Sequence, residues 1–214
     1  MNNLLVIGGG GHAKVVIDLA RSCGRIVVGF CAPDPLAEPL LGAPRLGSDE
    51  DFASLYASGL REAVVAVGRN DARERIALEL EAIGFSLATL VHPRAWVSSA
   101  SQLGDGTVVM AGAIVNAATR IGRSVILNTG CSVDHDCSLD DAVHVAPGTH
   151  LAGYVRVGKR SLLGVGSTVG RGRPLTIGDD VTVATGSTVV HDIPSGLRIA
   201  GQLATPLPGA KGSV

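Results

Sequence analysis

An aliphatic residue recurs at every sixth position through most of the second half of the chain, and this period constrains the fold more than any other feature. The series starts at Val97 and runs through twelve steps of six to Val169. After a two-residue insertion near Arg173 it resumes at Ile177, Val183 and Val189. A period of six matches neither a strand nor an α-helix. It is typical of a β-helix, in which each repeat supplies one short strand and one turn.

The residues between the aliphatic positions support a β-helix. Four residues after each aliphatic stands a small or β-branched residue, such as Thr119, Cys131 or Ser167, and glycine often follows the aliphatic directly. The aliphatic is expected to fill an interior corner of the coil, the small residue to fit beside it, and glycine to permit the turn. Such coils bury a continuous core only when they are stacked.

The first ~90 residues follow a different pattern, in which strands and helices alternate. Residues 3–7 read as a buried strand, residues 25–30 as a second and residues 62–67 as a third. A helical pattern follows Gly11 and stops at Gly24, a short helix is expected over 49–58, and a clear helix over 71–83 ends at Gly84. We therefore predict a small parallel α/β domain over residues 1–92 and a β-helix domain over residues 93–214.

Composition narrows the classes of function and the compartment. The chain is 46% hydrophobic and 17% charged, and its net charge of −1 argues against nucleic acid or an acidic membrane surface as the main partner. No apolar run approaches the ~20 residues of a membrane span. The four cysteines form no C-x-x-C pair and the start shows no secretory signal, so a cytoplasmic protein is expected.

A glycine-rich loop, IGGGGHAKVVID, connects the first strand to the first helix. Gly8, Gly10 and Ala13 fit the G-x-G-x-x-A pattern, which favours a phosphate group at a helix N-terminus. Asp34 follows the second strand, where a ribose-binding acid is expected. Three obvious strands make only about half of a full dinucleotide-binding fold, so the pattern indicates a site on the scale of a mononucleotide.

A polar cluster, Asp134-His135-Asp136, interrupts the small side chains of the β-helix. The repeat places it at an outward turn, whereas Cys131 and Cys137 occupy inward positions as packing thiols. A cysteine nucleophile must be exposed and activated, so an acyl-cysteine mechanism is rejected. His144 follows half a coil later.

Four motifs carry a resemblance to a known family: IGGGGHAKVVID, VGRNDAR, LVHPRAWVS and NTGCSVDHDCSLDDAVHVAPG. The chain resembles the hexapeptide-repeat N-acetyltransferases that modify 4-amino nucleotide sugars, which are related to sialic acid O-acetyltransferases. The resemblance covers nearly the whole length. It implies a left-handed, triangular β-helix with three repeats per coil, and thus roughly five to six coils after Val97.

The resemblance also assigns roles to residues. His135 is implied as the catalytic base and Asp136 as the group that orients it, with Asp134 as a second candidate partner. His144 is implied near the thioester and the Gly153 N–H as the oxyanion donor. The implied acetyl-CoA contacts are His144, Gly153, Gly164 and Ala184. The implied contacts with the nucleotide sugar are Gly10, Gly11, His12, Asp34, Gly68, Asn70, Arg73 and Asn128.

The implied chemistry agrees with the residue types. An amine that attacks a thioester must lose a proton, and a neutral imidazole near pH 7 can take it. A carboxylate on the other ring nitrogen fixes the tautomer and stabilises the imidazolium. Acetyl-CoA is then the co-substrate, no metal is needed, and the resemblance implies a homotrimer with active sites between subunits.

Three other functions remain open from the residues alone. A sugar O-acetyltransferase could use the same machinery on a hydroxyl. A metal hydratase on the same fold could use His135, His144 and His150 as ligands, and a scaffold subunit could keep the fold without activity. The Pro/Gly-rich tail over residues 199–214 is expected to cap the last coil.

Overall fold

The computed structural model describes residues 3–34, 36 and 38–201. The first domain consists of β1 Asn3–Ile7, α1 Gly11–Ser22, β2 Ile26–Cys31, β3 Arg45–Gly47, a 3-10 turn at Asp49–Asp51, α2 Phe52–Ala57, β4 Glu62–Val65, α3 Asn70–Ile83 and β5 Ser86–Leu87. Its five strands form a parallel sheet in the order β3-β2-β1-β4-β5.

The expected strands and helices of this domain are confirmed with small shifts at their ends. The helix expected over 71–83 spans Asn70–Ile83, and Gly84 ends it in a left-handed conformation (φ 115°), as a glycine C-cap commonly does. The helix expected over 49–58 divides into the 3-10 turn and α2. Strands β3 and β5 were not expected, because two or three residues carry no detectable period.

The second domain is a left-handed parallel β-helix with three flat faces, as expected. The first face contains β6 Leu90–Val91, β9 Val108–Val109, β12 Ile126–Leu127, β15 His144–Val145, β18 Leu162–Leu163, β21 Thr182–Val183 and β23 Arg198–Ile199. The second face contains β7 Trp96–Val97, β10 Ile114–Val115, β13 Ser132–Val133, β16 His150–Leu151, β19 Thr168–Val169 and β22 Thr188–Val189. The third face contains β8 Gln102–Leu103, β11 Arg120–Ile121, β14 Ser138–Leu139, β17 Val155–Val157 and β20 Leu175–Ile177.

The six-residue period produces the interior of this prism. Val133 pairs with Val115 below and Leu151 above, each 18 residues away, so every coil repeats the one beneath it. All three are buried in one continuous aliphatic core. The insertion near Arg173 lengthens one turn between the second and third faces, and Val157 consequently pairs with Ile177 at a spacing of 20.

Helix α1 joins the two domains by packing between them. Its buried side of Ala13, Val16 and Ile17 belongs to the same apolar cluster as Leu90 and Ile126 of the first face. The glycine-rich loop at the start of α1 therefore lies on the side of the first face. Since β6 already pairs with β9 inside the β-helix, we propose a domain boundary between Leu87 and Leu90 rather than after residue 92.

The three edges of the prism differ in their turn residues. The edge between the first and second faces, called the glycine edge, has glycine at each left-handed position: Gly112, Gly130, Gly148, Gly166 and Gly186. The edge between the second and third faces, called the His135 edge, has Ala118, Asp136, Tyr154 and Gly172 at the corresponding positions. The third edge faces the first domain. The cap expected over residues 199–214 falls mainly outside the described residues.

Candidate active site

His135 lies on the His135 edge, in the turn between β13 and β14. Its Nδ1–H donates to Oδ2 of Asp136 at 2.8 Å, and within the described residues Nε2 has no hydrogen-bond partner. Both side chains are about half exposed. The edge turn places Asp136 at a φ of 57°, a left-handed conformation that aspartate tolerates better than most residues. An imidazole that a carboxylate orients and that is open to solvent is the arrangement that a general base needs.

Asp134 does not share the orienting role with Asp136. Its Oδ1 accepts the backbone N–H of His135 at 2.8 Å and the amide of Asn116 at 2.9 Å. These hydrogen bonds lower the pKa of the Asp134 carboxyl. Asp134 therefore holds the turn that presents His135, and Asp136 is the partner of the ring.

Gly153 lies one coil above His135, and the imidazole occupies the place of its missing side chain. A Cβ on Gly153 would stand 2.7 Å from Cε1 and 2.8 Å from Nε2 of His135. Only glycine fits without displacing the ring. Within the described residues the Gly153 N–H has no hydrogen-bond acceptor, so it is free to donate to an oxyanion beside Nε2.

His144 and His12 form a second cluster, where the start of α1 meets the first face. Their ring centroids are 6.3 Å apart, and Nε2 of His144 lies 3.1 Å from the amide nitrogen of Asn128. Within the described part of the chain, the buried Nε2 of His12 has no hydrogen-bond partner. Burial, with a smaller contribution from Arg73, lowers the pKa of His12 to about 4 and that of His144 to about 3. Both rings are therefore neutral at pH 7.

These lowered pKa values predict acid destabilisation. The unfolded chain binds protons on both histidines below pH ~6.5, whereas the folded chain keeps them neutral down to about pH 4. The two histidines therefore do not lower the free energy of unfolding above pH ~6.5. Below that pH, each histidine lowers it by about 1.4 kcal/mol for every pH unit of acidification. Urea unfolding at several pH values measures this slope. His144→Gln is expected to make it shallower, and an unchanged slope would contradict the assignment.

Arg73 and Asn70, which the resemblance implies as substrate contacts, make hydrogen bonds that link the two domains. The Arg73 side chain is 1% exposed and donates to the carbonyls of Ser124 at 2.8 Å and Ala142 at 2.7 Å, both in the β-helix. It also donates to the Val67 carbonyl and to Oδ1 of Asn70, whose Nδ2 donates to the Arg160 carbonyl. With these groups engaged, we assign both residues to docking the domains rather than to direct substrate contact.

The glycine-rich loop has the properties of an anion site. Gly10 precedes α1 without a side-chain cap, and the first turn of the helix has no acidic residue, so backbone N–H groups are left for a ligand. A Cβ on Gly10 or Gly11 would meet nothing within 4 Å, whereas one on Gly8 would stand 2.5 Å from the Ala66 carbonyl oxygen. The loop is thus open outward. Gly68 lies beside His144, and Asp34 is exposed beyond β2.

The residues that the resemblance implies as acetyl-CoA contacts lie on three different parts of the β-helix within one chain. Gly153 is on the His135 edge, and His144 is on the first face. Gly164 and Ala184 lie on the glycine edge, where a Cβ on Gly164 would stand 2.7 Å from the Ala184 carbonyl carbon. In a triangular cross-section the His135 edge lies opposite the first face, so His135 and the His12–His144 cluster are on opposite sides of one chain.

The other candidate groups are also placed. Cys131 and Cys137 are buried, which confirms them as packing thiols, and burial raises their pKa values to about 12 and about 11.

His150 lies on the second face with Nδ1 2.8 Å from the Ser132 hydroxyl. His135, His144 and His150 do not converge, and the described residues contain no group of three that could hold a metal ion. No helix within residues 3–201 as described is long and apolar enough to span a membrane.

Known proteins resemble both domains of the chain. A family model described as the PglD N-terminal domain matches residues 3–80. GDP-perosamine N-acetyltransferase from Caulobacter crescentus, solved as a histidine-to-alanine variant with CoA and GDP-perosamine, is 43% identical with a TM-score of 0.89, and the match covers 93% of each chain. The acetyltransferase domain of PglB from Neisseria gonorrhoeae, solved with acetyl coenzyme A, is 40% identical with a TM-score of 0.87, over 96% of this chain and 99% of that one.

A curated relative matches over a shorter stretch. UDP-N-acetylbacillosamine N-acetyltransferase from Bacillus subtilis is 35% identical over 117 residues, and the match spans 52% of each protein. The fold and the near-complete structural matches place the chain among the hexapeptide-repeat acyltransferases. Within that class, it belongs to the family of nucleotide-sugar N-acetyltransferases.

Proposed function

We propose that this chain transfers the acetyl group of acetyl-CoA to the C4 amino group of a nucleotide-linked 4-amino-4,6-dideoxy sugar, with GDP-perosamine as the preferred acceptor. The observation that carries the proposal is the His135–Asp136 pair on an exposed edge, with Nδ1 and Oδ2 2.8 Å apart and no partner for Nε2 among the described residues. A relative that is 43% identical binds CoA and GDP-perosamine together, which supports both the donor and the acceptor.

The reaction follows from these groups as a direct transfer in a ternary complex. The amine nitrogen attacks the thioester carbonyl carbon, and His135 Nε2 takes the proton that the nitrogen loses. The Gly153 N–H donates to the oxyanion, a contribution of ~3 kcal/mol for a well-placed donor. When the oxyanion collapses, the carbon–sulfur bond breaks, and the imidazolium returns its proton to the sulfur. The products are the amide and the CoA thiol, with no covalent enzyme intermediate and no metal.

The nucleotide sugar is assigned to the first domain. The free N–H groups at Gly10 and Gly11 suit its diphosphate, and Asp34 suits the nucleoside. The neutral His12 and His144, with Asn128, lie between this loop and the β-helix, where the sugar would extend. The printed names of the relatives describe N-acetyltransferases, which favours an amine over a hydroxyl acceptor.

A homotrimer would assemble the site from two copies. The exposed Trp96 and Ile114 are 64% and 41% accessible and adjacent on the second face, which lies between the glycine edge and the His135 edge. Turning three second faces toward a common axis buries these side chains and brings the His135 edge of one copy to the glycine edge of the next. His135 of one copy then faces the nucleotide-sugar residues of its neighbour.

Mixed trimers test this shared site. Gly10→Val should block the loop without straining the chain, because Gly10 has an extended backbone and open space at its Cβ position. We expect Gly10→Val and His135→Ala to be inactive alone, and co-assembly in equal amounts to restore about a quarter of wild-type activity through sites with two intact halves. If the site lay within one chain, every chain would carry a defect and mixing would restore nothing.

The activity itself is tested by release of free thiol from acetyl-CoA. Acceptors are GDP- and UDP-linked 4-amino-4,6-dideoxy sugars, each paired with its 4-hydroxy counterpart. The proposal expects turnover on a nucleotide-linked amine and the highest kcat/KM on the GDP-linked one. Turnover only on hydroxyl acceptors would make the protein an O-acetyltransferase, and turnover on neither would leave the acetyl-transfer proposal without support.

A further inference from the structure

Tyr154 stands one coil above Asp136 on the His135 edge and contacts the ring of His135. The two ring centroids are 5.2 Å apart and the planes meet at 89°, an edge-to-face arrangement that is favourable for aromatic rings. The Tyr154 backbone N–H also donates to the His135 carbonyl at 3.2 Å. The side chain and the backbone of Tyr154 thus both meet His135.

The backbone at Tyr154 is strained, and core packing does not account for this residue. Its φ of 63° lies in the left-handed region, which a bulky side chain rarely adopts. At the corresponding turns of the same edge the chain uses smaller residues, Ala118, Asp136 and Gly172. Tyr154 is 49% exposed, so it fills no interior space. The turn itself sets this φ, so the unusual feature is the choice of tyrosine at a left-handed position beside His135, and this choice points to a functional constraint.

Three neighbours define the position of the imidazole. Asp136 accepts the Nδ1–H, and the ring occupies the space that a side chain on Gly153 would fill. The Tyr154 ring meets the imidazole at right angles. Asp136 alone fixes one nitrogen and lets the ring pivot about that hydrogen bond. The aromatic contact restricts this pivot, which would otherwise move Nε2 relative to the acceptor amine.

We propose that Tyr154 is a positioning residue that holds the His135 imidazole between Asp136 and Gly153, so that Nε2 keeps its place relative to the acceptor amine. The proposal rests on His135 being the base. It predicts that the aromatic ring, and not the phenol hydroxyl, is the part of Tyr154 that matters.

Tyr154→Gly separates positioning from stability, because glycine relieves the left-handed backbone while it removes the ring. We expect kcat to fall at least about tenfold from the misplaced base, with both KM values within about twofold of wild type and thermal stability unchanged or higher. Tyr154→Phe should restore kcat. Ala118→Gly, at the same kind of turn one coil below Asp136, serves as the matched control and should leave kcat unchanged.

A kcat in Tyr154→Gly equal to wild type would overturn the proposal, and so would Tyr154→Phe failing to restore it. A second readout is independent of acetyl transfer: the rate at which diethyl pyrocarbonate modifies His135, followed by peptide mass spectrometry. This rate should rise in Tyr154→Gly and stay at the wild-type value in Tyr154→Phe. If the protein transfers no acetyl group, the proposed function fails, while this rate still decides whether Tyr154 restrains the ring.

Discussion

Replacing His135 by alanine is expected to lower kcat for acetyl transfer at least about 100-fold, the scale of a lost general base. The ring lies on the surface of the edge and is half exposed, so its removal leaves no buried cavity and the fold should persist. The KM values for acetyl-CoA and the nucleotide sugar should change little, because the ring accepts a proton in the transition state and does not bind either substrate in the ground state. Steady-state thiol release with the purified variant measures both.

The chain supplies a matched control on the same edge. His191 and Asp192 repeat the histidine–aspartate dipeptide of His135 and Asp136, but Asp192 pairs with Arg171 at 2.9 Å. His191→Ala should therefore retain wild-type kcat. If His135→Ala also retained it, the family assignment would stand and the assignment of the base would be wrong.

Replacing Arg73 by methionine is expected to destabilise the protein by at least about 3 kcal/mol. Two effects oppose each other. Burial lowers the pKa of the Arg73 guanidinium to about 10, because the buried charge has lost its contact with water. Methionine carries no charge and so removes this desolvation cost. It also leaves the carbonyls of Val67, Ser124 and Ala142 without a donor, at about 1–3 kcal/mol each. The unpaired carbonyls dominate, and two of the three belong to the β-helix, so the domains should also separate more readily.

Arg75 on the same helix provides the comparison. Its side chain is exposed and its pairing with Glu79 is a surface contact, so Arg75→Met should cost less than about 1 kcal/mol. Urea unfolding of both variants at pH ~7.5 gives the two free energies, because this pH lies above the range in which protonation of the unfolded chain at an ordinary histidine pKa of ~6.5 contributes. Equal stabilities for the two variants would contradict the docking role of Arg73.

The fold was predictable from the sequence because its largest part is strictly periodic. Each inward aliphatic repeats at six, and the three repeats per coil that the family resemblance implies stack Val115, Val133 and Leu151 at a spacing of 18. The three longest strands and the helices of the first domain followed from their patterns. Strands β3 and β5 did not, because their two or three residues depend on pairing with neighbours rather than on their own sequence.

The site was predictable where its partners are adjacent in sequence. His135 and Asp136 are consecutive, and the turn brings Nδ1 to Oδ2 directly. The role of Arg73 was not predictable, because its acceptors are backbone carbonyls 51 and 69 residues away, and a carbonyl has no sequence signal. The sequence pattern also did not single out Tyr154, although one signal was present: it follows Asp136 by one coil of 18 residues, as Gly153 follows His135.

The most direct test of the central claim is the position of the transferred acetyl group. Purified protein is incubated with acetyl-CoA and GDP-perosamine, and the product is analysed by two-dimensional NMR. We predict a single acetamide at C4 of the sugar, with an amide proton coupled to the C4 proton. An acetyl ester on a sugar hydroxyl, or unchanged GDP-perosamine after long incubation with active-site concentrations of protein, would contradict it.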